Sequence, residues 1–142
     1  MYDIKKDFDF KQISDNSPLV VNQTTLNFLD LKKIHENIVE SIPNARITNE
    51  ICAATRTRQQ AIIDLPNDVD LIVVVGDKKS SNSNRLLEIA RESHPNASSI
   101  LVSDVSEFDT NILVNKNHVA ISSGASTPLE SINAIYDLIN NY

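Results

Sequence analysis

Apolar positions along the chain fall into short strand-like runs and helical stripes that alternate from end to end. Leu71 to Val75 sets five apolar residues in succession, four of them β-branched, between polar flanks. An uninterrupted run of that length predicts a central parallel strand covered on both faces. Leu31, Ile34 and Ile38 recur at helical spacing, with Leu26 and Ile42 about a turn beyond on either side and Pro43 as the stop. Short strands are predicted at 19–21 and 45–48, and the second leads to Cys52 at the mouth of a helix carrying Ala61, Ile62 and Ile63. Beyond the central strand, Leu86, Leu87 and Ala90 mark a helix closed by Pro95, and a strand follows at 100–102. Asp104 and Glu107 are spaced as a capping box, 112–114 is expected to pair briefly, and 119–122 forms the next strand. Thr127 is expected to cap a last helix that has Pro128 at its first position, Glu130 close behind, and Ile132, Ile135 and Ile139 on its buried face. Strands alternating with helices in this way predict an α/β fold built of parallel-sheet βα units.

Composition narrows the reading. The chain of 142 residues is 41% hydrophobic and 23% charged, which is a globular balance with length enough for a real core. Net charge is −6 with scattered acidic residues and 5% aromatics, so nucleic acid is not an expected partner. No apolar run approaches a membrane span, and the first residues lack the apolar core of a signal peptide. A cytoplasmic location without membrane association is therefore expected. Cys52 is the single cysteine, so one chain can form neither an internal disulfide nor a self-contained thiolate metal site. Taken alone, such a cysteine also reads as a small buried hydrophobe.

Both glycines of the sequence, Gly76 and Gly124, follow predicted strands and precede predicted helices. After Gly76 come Ser80, Ser81, Asn82 and Ser83, whose hydroxyl and amide groups stand beside the free N–H groups of a helix start. Gly76 is expected to supply the backbone angles of a sharp turn. A phosphate pocket and an ordinary helix N-cap both account for such a loop. In parallel α/β sheets the ligand crevice lies beyond the carboxyl ends of the strands. Here the loops at 23–25, 52–55, 80–82 and 122–126 all carry small polar side chains, and parallel strands would turn them toward one cleft. A cleft of hydroxyls, amides and helix N-termini with a thiol at its edge suits a small anionic ligand beside a metal or redox centre.

The segments NQTTL at 22–26, ICAATRTRQQA at 51–61, DLIVVVGDKKSSNSNRL at 70–86 and SGASTP at 123–128 resemble, in order, motifs of the 4-hydroxy-3-methylbut-2-enyl diphosphate reductase (LytB) family. The resemblance runs from about residue 19 to the end. It implies an iron–sulfur enzyme of the non-mevalonate isoprenoid pathway, which removes the substrate hydroxyl reductively to give isopentenyl and dimethylallyl diphosphate. Cys52 matches the last of three cysteines that hold a 4Fe-4S cluster, so the resemblance makes it a thiolate ligand to iron. Ser80, Ser81 and Asn82 match the residues that bind the substrate diphosphate, Ser126 matches a further diphosphate-binding serine, and Thr24 matches a threonine lining the same pocket. Thr55, one helical turn after Cys52, is implied as a further pocket residue. Lys79 stands where the family usually has asparagine, and it is expected to point to solvent.

The family's other two cluster cysteines, its histidines and its glutamate have no counterpart here, so no catalytic residue is assigned. His35, His94 and His118 fall outside the shared motifs and read as surface or packing residues. By this resemblance the chain corresponds to the C-terminal part of the enzyme. Residues 1–18 are polar and expected to be irregular, and the resemblance implies the end of a preceding α/β subdomain at 19–48 and a C-terminal α/β subdomain at 49–142 with the cluster cysteine and diphosphate loops. A diphosphate substrate, an electron donor of ferredoxin or flavodoxin type and a separate N-terminal half are the partners implied, and the chain alone is expected to be inactive. A truncated, non-catalytic remnant that still binds diphosphate is the alternative.

Overall fold

The computed structural model describes residues 10–22, 26–48 and 53–142. Two compact units divide the chain, Met1–Ile51 and Cys52–Tyr142.

In the first unit, strands β1 (Leu19–Val20) and β2 (Arg46–Ile47) pair in parallel, with Leu19 opposite Arg46, and helix α1 (Phe28–Ser41) lies between them in sequence. Leu31 and Ile38, two helical turns apart, are buried on one stripe of α1 as the spacing predicts. The helix ends two residues before Pro43, and the Ala45 N–H donates to the Ile42 carbonyl in the turn that feeds β2. Thr48 closes the pairing, since both its N–H and its hydroxyl donate to the Val20 carbonyl.

The second unit starts with helix α2 (Ala53–Ile63) and continues through β3 (Leu71–Val75), α3 (Ser81–Ser93), β4 (Ser98–Val102), β5 (Val119–Ser123) and α4 (Leu129–Asn140). The three-stranded sheet has the order β4-β3-β5 and is parallel throughout. All five residues of β3 are fully buried, as a strand covered on both faces must be. Its side chains alternate between two cores. Ile72 and Val74 pack with Ile62 of α2 and with Leu86, Ile89 and Ala90 of α3. Leu71, Val73 and Val75 pack on the other face with Phe108, Leu113 and Ile135 of α4.

Between β4 and β5 the chain makes short 3-10 turns at Val105–Glu107 and Thr110–Leu113. The second replaces the pairing expected at 112–114. The Asp109 carboxylate accepts from the Asn111 N–H at 3.0 Å, and this local bond winds the segment instead of leaving it extended. His94 is a packing residue, as expected: it is buried at the end of α3, and its Nε2 lies 2.8 Å from the Ile62 carbonyl at the end of α2. Asp70 joins the starts of β3 and β5. Its carboxylate accepts from the backbone N–H groups of Asn117 and His118 at 2.8 and 3.0 Å. Those two bonds hold its pKa below the ordinary 3.8.

Candidate functional site: two glycine loops at the end of the central strand

The sheet order places β3 between β4 and β5. From β3 the chain passes into α3, which packs on one face, and from β5 into α4, which packs on the other. Loops that diverge to opposite faces from adjacent parallel strands open a crevice at the strands' carboxyl ends. The Gly76 and Gly124 loops stand there.

Neither glycine has a positive φ, so the expected role of Gly76 as a turn-former is corrected. Close approach is what requires both. A Cβ on Gly124 would sit 2.7 Å from Ser83 Oγ and 3.1 Å from Thr127 Oγ1, and a Cβ on Gly76 would collide with the same Ser83 hydroxyl and lie 3.3 Å from Thr127 Oγ1. The two loops are thus pressed together around two side-chain hydroxyls.

On the β3–α3 side, Ser80 is the N-cap of α3, and its Oγ accepts from the Ser83 N–H at 3.3 Å. The capping reading therefore holds for Ser80, whose hydroxyl proton remains available to a ligand. The Ser80 N–H donates to the Asp77 carbonyl, and the Asn84 side chain donates to the carbonyls of Lys78 and Ser80, so the loop is stapled to its own helix. In the first turn of α3, the N–H groups of Ser81 and Asn82 precede any intrahelical acceptor. Ser81 is exposed. Capping does not explain Asn82, whose Oδ1 and Nδ2 are both shielded from solvent and have no hydrogen-bond partner. Its Nδ2 lies 3.8 Å from the position of a Gly124 Cβ, which turns the amide toward the second loop.

On the β5–α4 side, the Gly124 N–H donates to the Val75 carbonyl at 3.0 Å, and the Thr127 N–H donates to the Gly124 carbonyl at 3.1 Å. Ser126 is exposed on the turn so closed. Thr127 was expected to cap α4 but does not: Pro128 occupies the N-cap without a side-chain bond, and the Thr127 hydroxyl donates to the Val75 carbonyl at 2.9 Å.

Of the two cations in the first loop, one is paired. Lys79 is exposed, and Lys78 pairs with Glu107 at 3.1 Å. Glu107 also accepts from the Ser103 N–H, and that bond, then Lys78, lowers its pKa from 4.5. Asp104 caps the turn, accepting from the Ser106 N–H and hydroxyl, but Glu107 reaches back to the Ser103 N–H rather than that of Asp104, so the expected capping box forms only in part. A surface groove of about 540 Å3, lined by Leu65, Val69, His118, Val119 and Ile121 among others, includes none of the loop residues.

The structure thus brings together Ser80, Ser81 and Asn82 with the turn that carries Ser126. Thr24 and Cys52 lie outside the described residues. Thr55 is buried on the same stripe of α2 as Gln59 and Ile62. Ser83 is expected from sequence only as one more polar donor and Thr127 only as a cap; that they are the contacts between the two loops is what sequence reasoning missed. Their only sequence signal is that each follows a polar cluster after a glycine-ended strand. Among the described residues there is no group of three or more His, Cys, Asp or Glu side chains able to hold a metal, and no helix is long and apolar enough to cross a membrane.

Comparison with known proteins agrees with the geometry. The family profile described as LytB protein matches residues 3–140. The 4-hydroxy-3-methylbut-2-enyl diphosphate reductase of Macrococcus caseolyticus is 38% identical over 133 residues, covering 93% of this chain and 41% of that protein. The enzyme of the same name from Symbiobacterium thermophilum is 41% identical over 128 residues, covering 87% of this chain and 41% of its own length. The solved E-1-hydroxy-2-methyl-but-2-enyl-4-diphosphate reductase of Plasmodium falciparum superposes with a TM-score of 0.78 at 30% identity, covering 94% of this chain and 41% of that one. A second solved structure, (E)-4-hydroxy-3-methyl-but-2-enyl diphosphate reductase, gives 0.60 at 28% identity over 95% of this chain and 49% of its own. The chain spans about 41% of the length of these curated relatives. With nearly every residue inside the matched profile and the α/β fold shared with solved members, the chain belongs to the LytB family.

Proposed function

We propose that this chain is the diphosphate-binding part of a 4-hydroxy-3-methylbut-2-enyl diphosphate reductase. Ser80, Ser81, Asn82 and Ser126 would hold the diphosphate, Thr24 would line the same pocket, and Cys52 would give one thiolate to the 4Fe-4S cluster. The observation that carries the reading is Asn82, a buried amide with neither oxygen nor nitrogen satisfied, set between a helix start and a glycine-backed turn. Buried polar groups without partners are rare, and a ligand at this site would supply the missing bonds. The first-turn N–H groups of α3 add fixed donors and the positive end of a helix dipole, so the anion would be held without a buried lysine.

The chain's residues do not by themselves fit the cluster. The sequence has one cysteine against the three that the resemblance requires, and the described residues hold no alternative ligand set. The part assigned to this chain is therefore binding and orientation: serine hydroxyls, the Asn82 amide and backbone N–H groups fix the diphosphate end of the substrate. The remaining thiolates and the proton donor would come from residues outside this sequence, and the electrons from a ferredoxin- or flavodoxin-type donor.

Calorimetric titration of the chain with inorganic pyrophosphate tests the binding. Saturable binding that weakens about tenfold or more in Ser81→Ala or Asn82→Ala is expected, since a charge-assisted hydrogen bond contributes roughly 1.5–3 kcal/mol. Unchanged affinity in folded variants removes these residues from the site. One other reading is a non-catalytic remnant that keeps the diphosphate pocket without the cluster. Anaerobic mixing with a polypeptide supplying the other cysteines, followed by iron and sulfide analysis and a product assay, decides between them: pyrophosphate binding with no cluster and no turnover leaves the remnant.

A further inference from the structure

We infer that Ser83 and Thr127 are positioning residues that set the spacing between the two loops of the proposed diphosphate pocket, an inference that rests on that reading of the site. Ser83 is almost completely buried although polar, and its hydroxyl fills the space that the missing Cβ atoms of Gly76 and Gly124 leave. Thr127 Oγ1 borders the same space from the other side, at 3.3 Å and 3.1 Å from those two Cβ positions. Its bond to Val75 ties the Ser126 turn to the end of the central strand, where the Gly124 N–H converges on the same carbonyl. Ser83 belongs to the helix that presents Ser81 and Asn82. The α3 start and the Ser126 turn therefore meet through a contact between two hydroxyls and two bare backbones. A longer side chain anywhere in it would push the two halves of an anion site apart, and small displacements of binding groups weaken a site steeply.

The expected pattern is specific to spacing. Gly124→Ala weakens inorganic pyrophosphate binding about tenfold or more, because the new Cβ meets Ser83 Oγ at 2.7 Å. Adding Ser83→Ala to Gly124→Ala restores most of the affinity, because the nearest remaining neighbours, Thr127 Oγ1 at 3.1 Å and Asn82 Nδ2 at 3.8 Å, need only shift by tenths of an ångström. Thr127→Val removes the bond to Val75 at nearly constant volume and weakens binding about fivefold or more, while Thr127→Ser, which keeps the hydroxyl, binds as the parent does. Thermal unfolding of each variant is recorded beside the titration, and a merely structural role would move the melting temperature in step with the affinity, whereas a spacing role moves the affinity of fully folded variants.

A double variant as weak as Gly124→Ala, or a Thr127→Val that binds like the parent, overturns the inference. If Gly124→Ala does not fold, the Thr127→Val and Thr127→Ser pair decides. Asn82→Ala runs in parallel. Loss of binding there with no loss in the spacing variants sinks the inference alone, whereas unchanged binding in Asn82→Ala sinks the pocket and the inference together.

Discussion

Replacing Asn82 with alanine should move stability and binding in opposite directions. In the free protein two buried polar atoms of this side chain lack partners. The amide, counted as one unpartnered group, carries a desolvation penalty of about 2–3 kcal/mol, at the upper end of the usual range, which alanine removes. Against that gain stands the lost packing of an amide group: a space of roughly 35 Å3 at about 24 cal/mol per Å3 comes to about 1 kcal/mol. Alanine is also the better helix former, by a few tenths of a kcal/mol this close to a helix start. The balance favours the variant by about 1–2 kcal/mol. In a unit of this size, that corresponds to a melting temperature higher by about 4–15 °C.

Binding loses what stability gains. If Asn82 supplies one charge-assisted hydrogen bond to the anion, its removal costs about 1.5–3 kcal/mol, or roughly 10- to 150-fold in Kd. Urea and thermal unfolding measure the first quantity, and titration with inorganic pyrophosphate the second. A variant that is less stable than the parent would show that Asn82 packs the loop rather than waiting for a ligand. A variant more stable but equally tight would show that the orphaned amide faces no anion.

Ile135 is the one fully buried residue of α4, so Ile135→Ala should destabilise the second unit by about 2–5 kcal/mol in urea unfolding; a loss below 1 kcal/mol would mean that α4 does not hold the Ser126 turn in place. The Asp70 carboxylate has a depressed pKa through its bonds to Asn117 and His118, so its contribution is complete above the unfolded value of 3.8 and lost as pH falls through the lower folded value. Asp70→Asn should therefore flatten the acid limb of the second unit's stability curve, and an unaltered limb refutes the role. Burial lowers the pKa of His35, so α1 should lose protection from about pH 6.5 downward, earlier than the carboxylates act, and amide exchange at pH 7.5 and 5.5 would reveal it. Pyrophosphate affinity should stay flat or rise with potassium chloride, because an acidic chain of net charge −6 repels the anion through a field that salt screens; a steep fall would show that Lys78 or Lys79 carries the binding.

Much of the second unit was legible because its signals are local and agree with one another. The β-branched run at Leu71 to Val75, set between polar flanks, pointed to a strand buried on both faces, and Leu86 with Ala90 marked the inner side of α3. What the residues could not declare was competition from distant acceptors. Thr127 precedes a proline and has glutamate nearby, which is a cap signature, yet the Val75 carbonyl takes its hydroxyl from across the crevice. Ser98 and Ser99 look like loop and are strand, because the register with Leu71 and Ile72 continues past the apolar residues. The glycines misled in another way. Their positions mark where the two loops meet, but the reason for them is contact with Ser83 and Thr127, and no local pattern announces a partner on another loop.

The location of the orphaned amide follows from the same architecture. β3 pairs with β4 on one edge and β5 on the other, so its backbone hydrogen-bonding capacity is spent in the sheet except at its end, where the Val75 carbonyl takes two donors from the Gly124 loop. That junction ties one loop to the rigid strand, and the other loop is pressed against it through Ser83. The donors at the mouth, namely the first N–H groups of α3, the serine hydroxyls and the Asn82 amide, are therefore fixed relative to one another before any ligand arrives. Preorganisation of that kind reduces the entropy lost on binding, but it leaves polar atoms unsatisfied in the free protein. Asn82 is where that conflict is visible, and a sequence shaped for stability alone would have placed a satisfied or apolar side chain there.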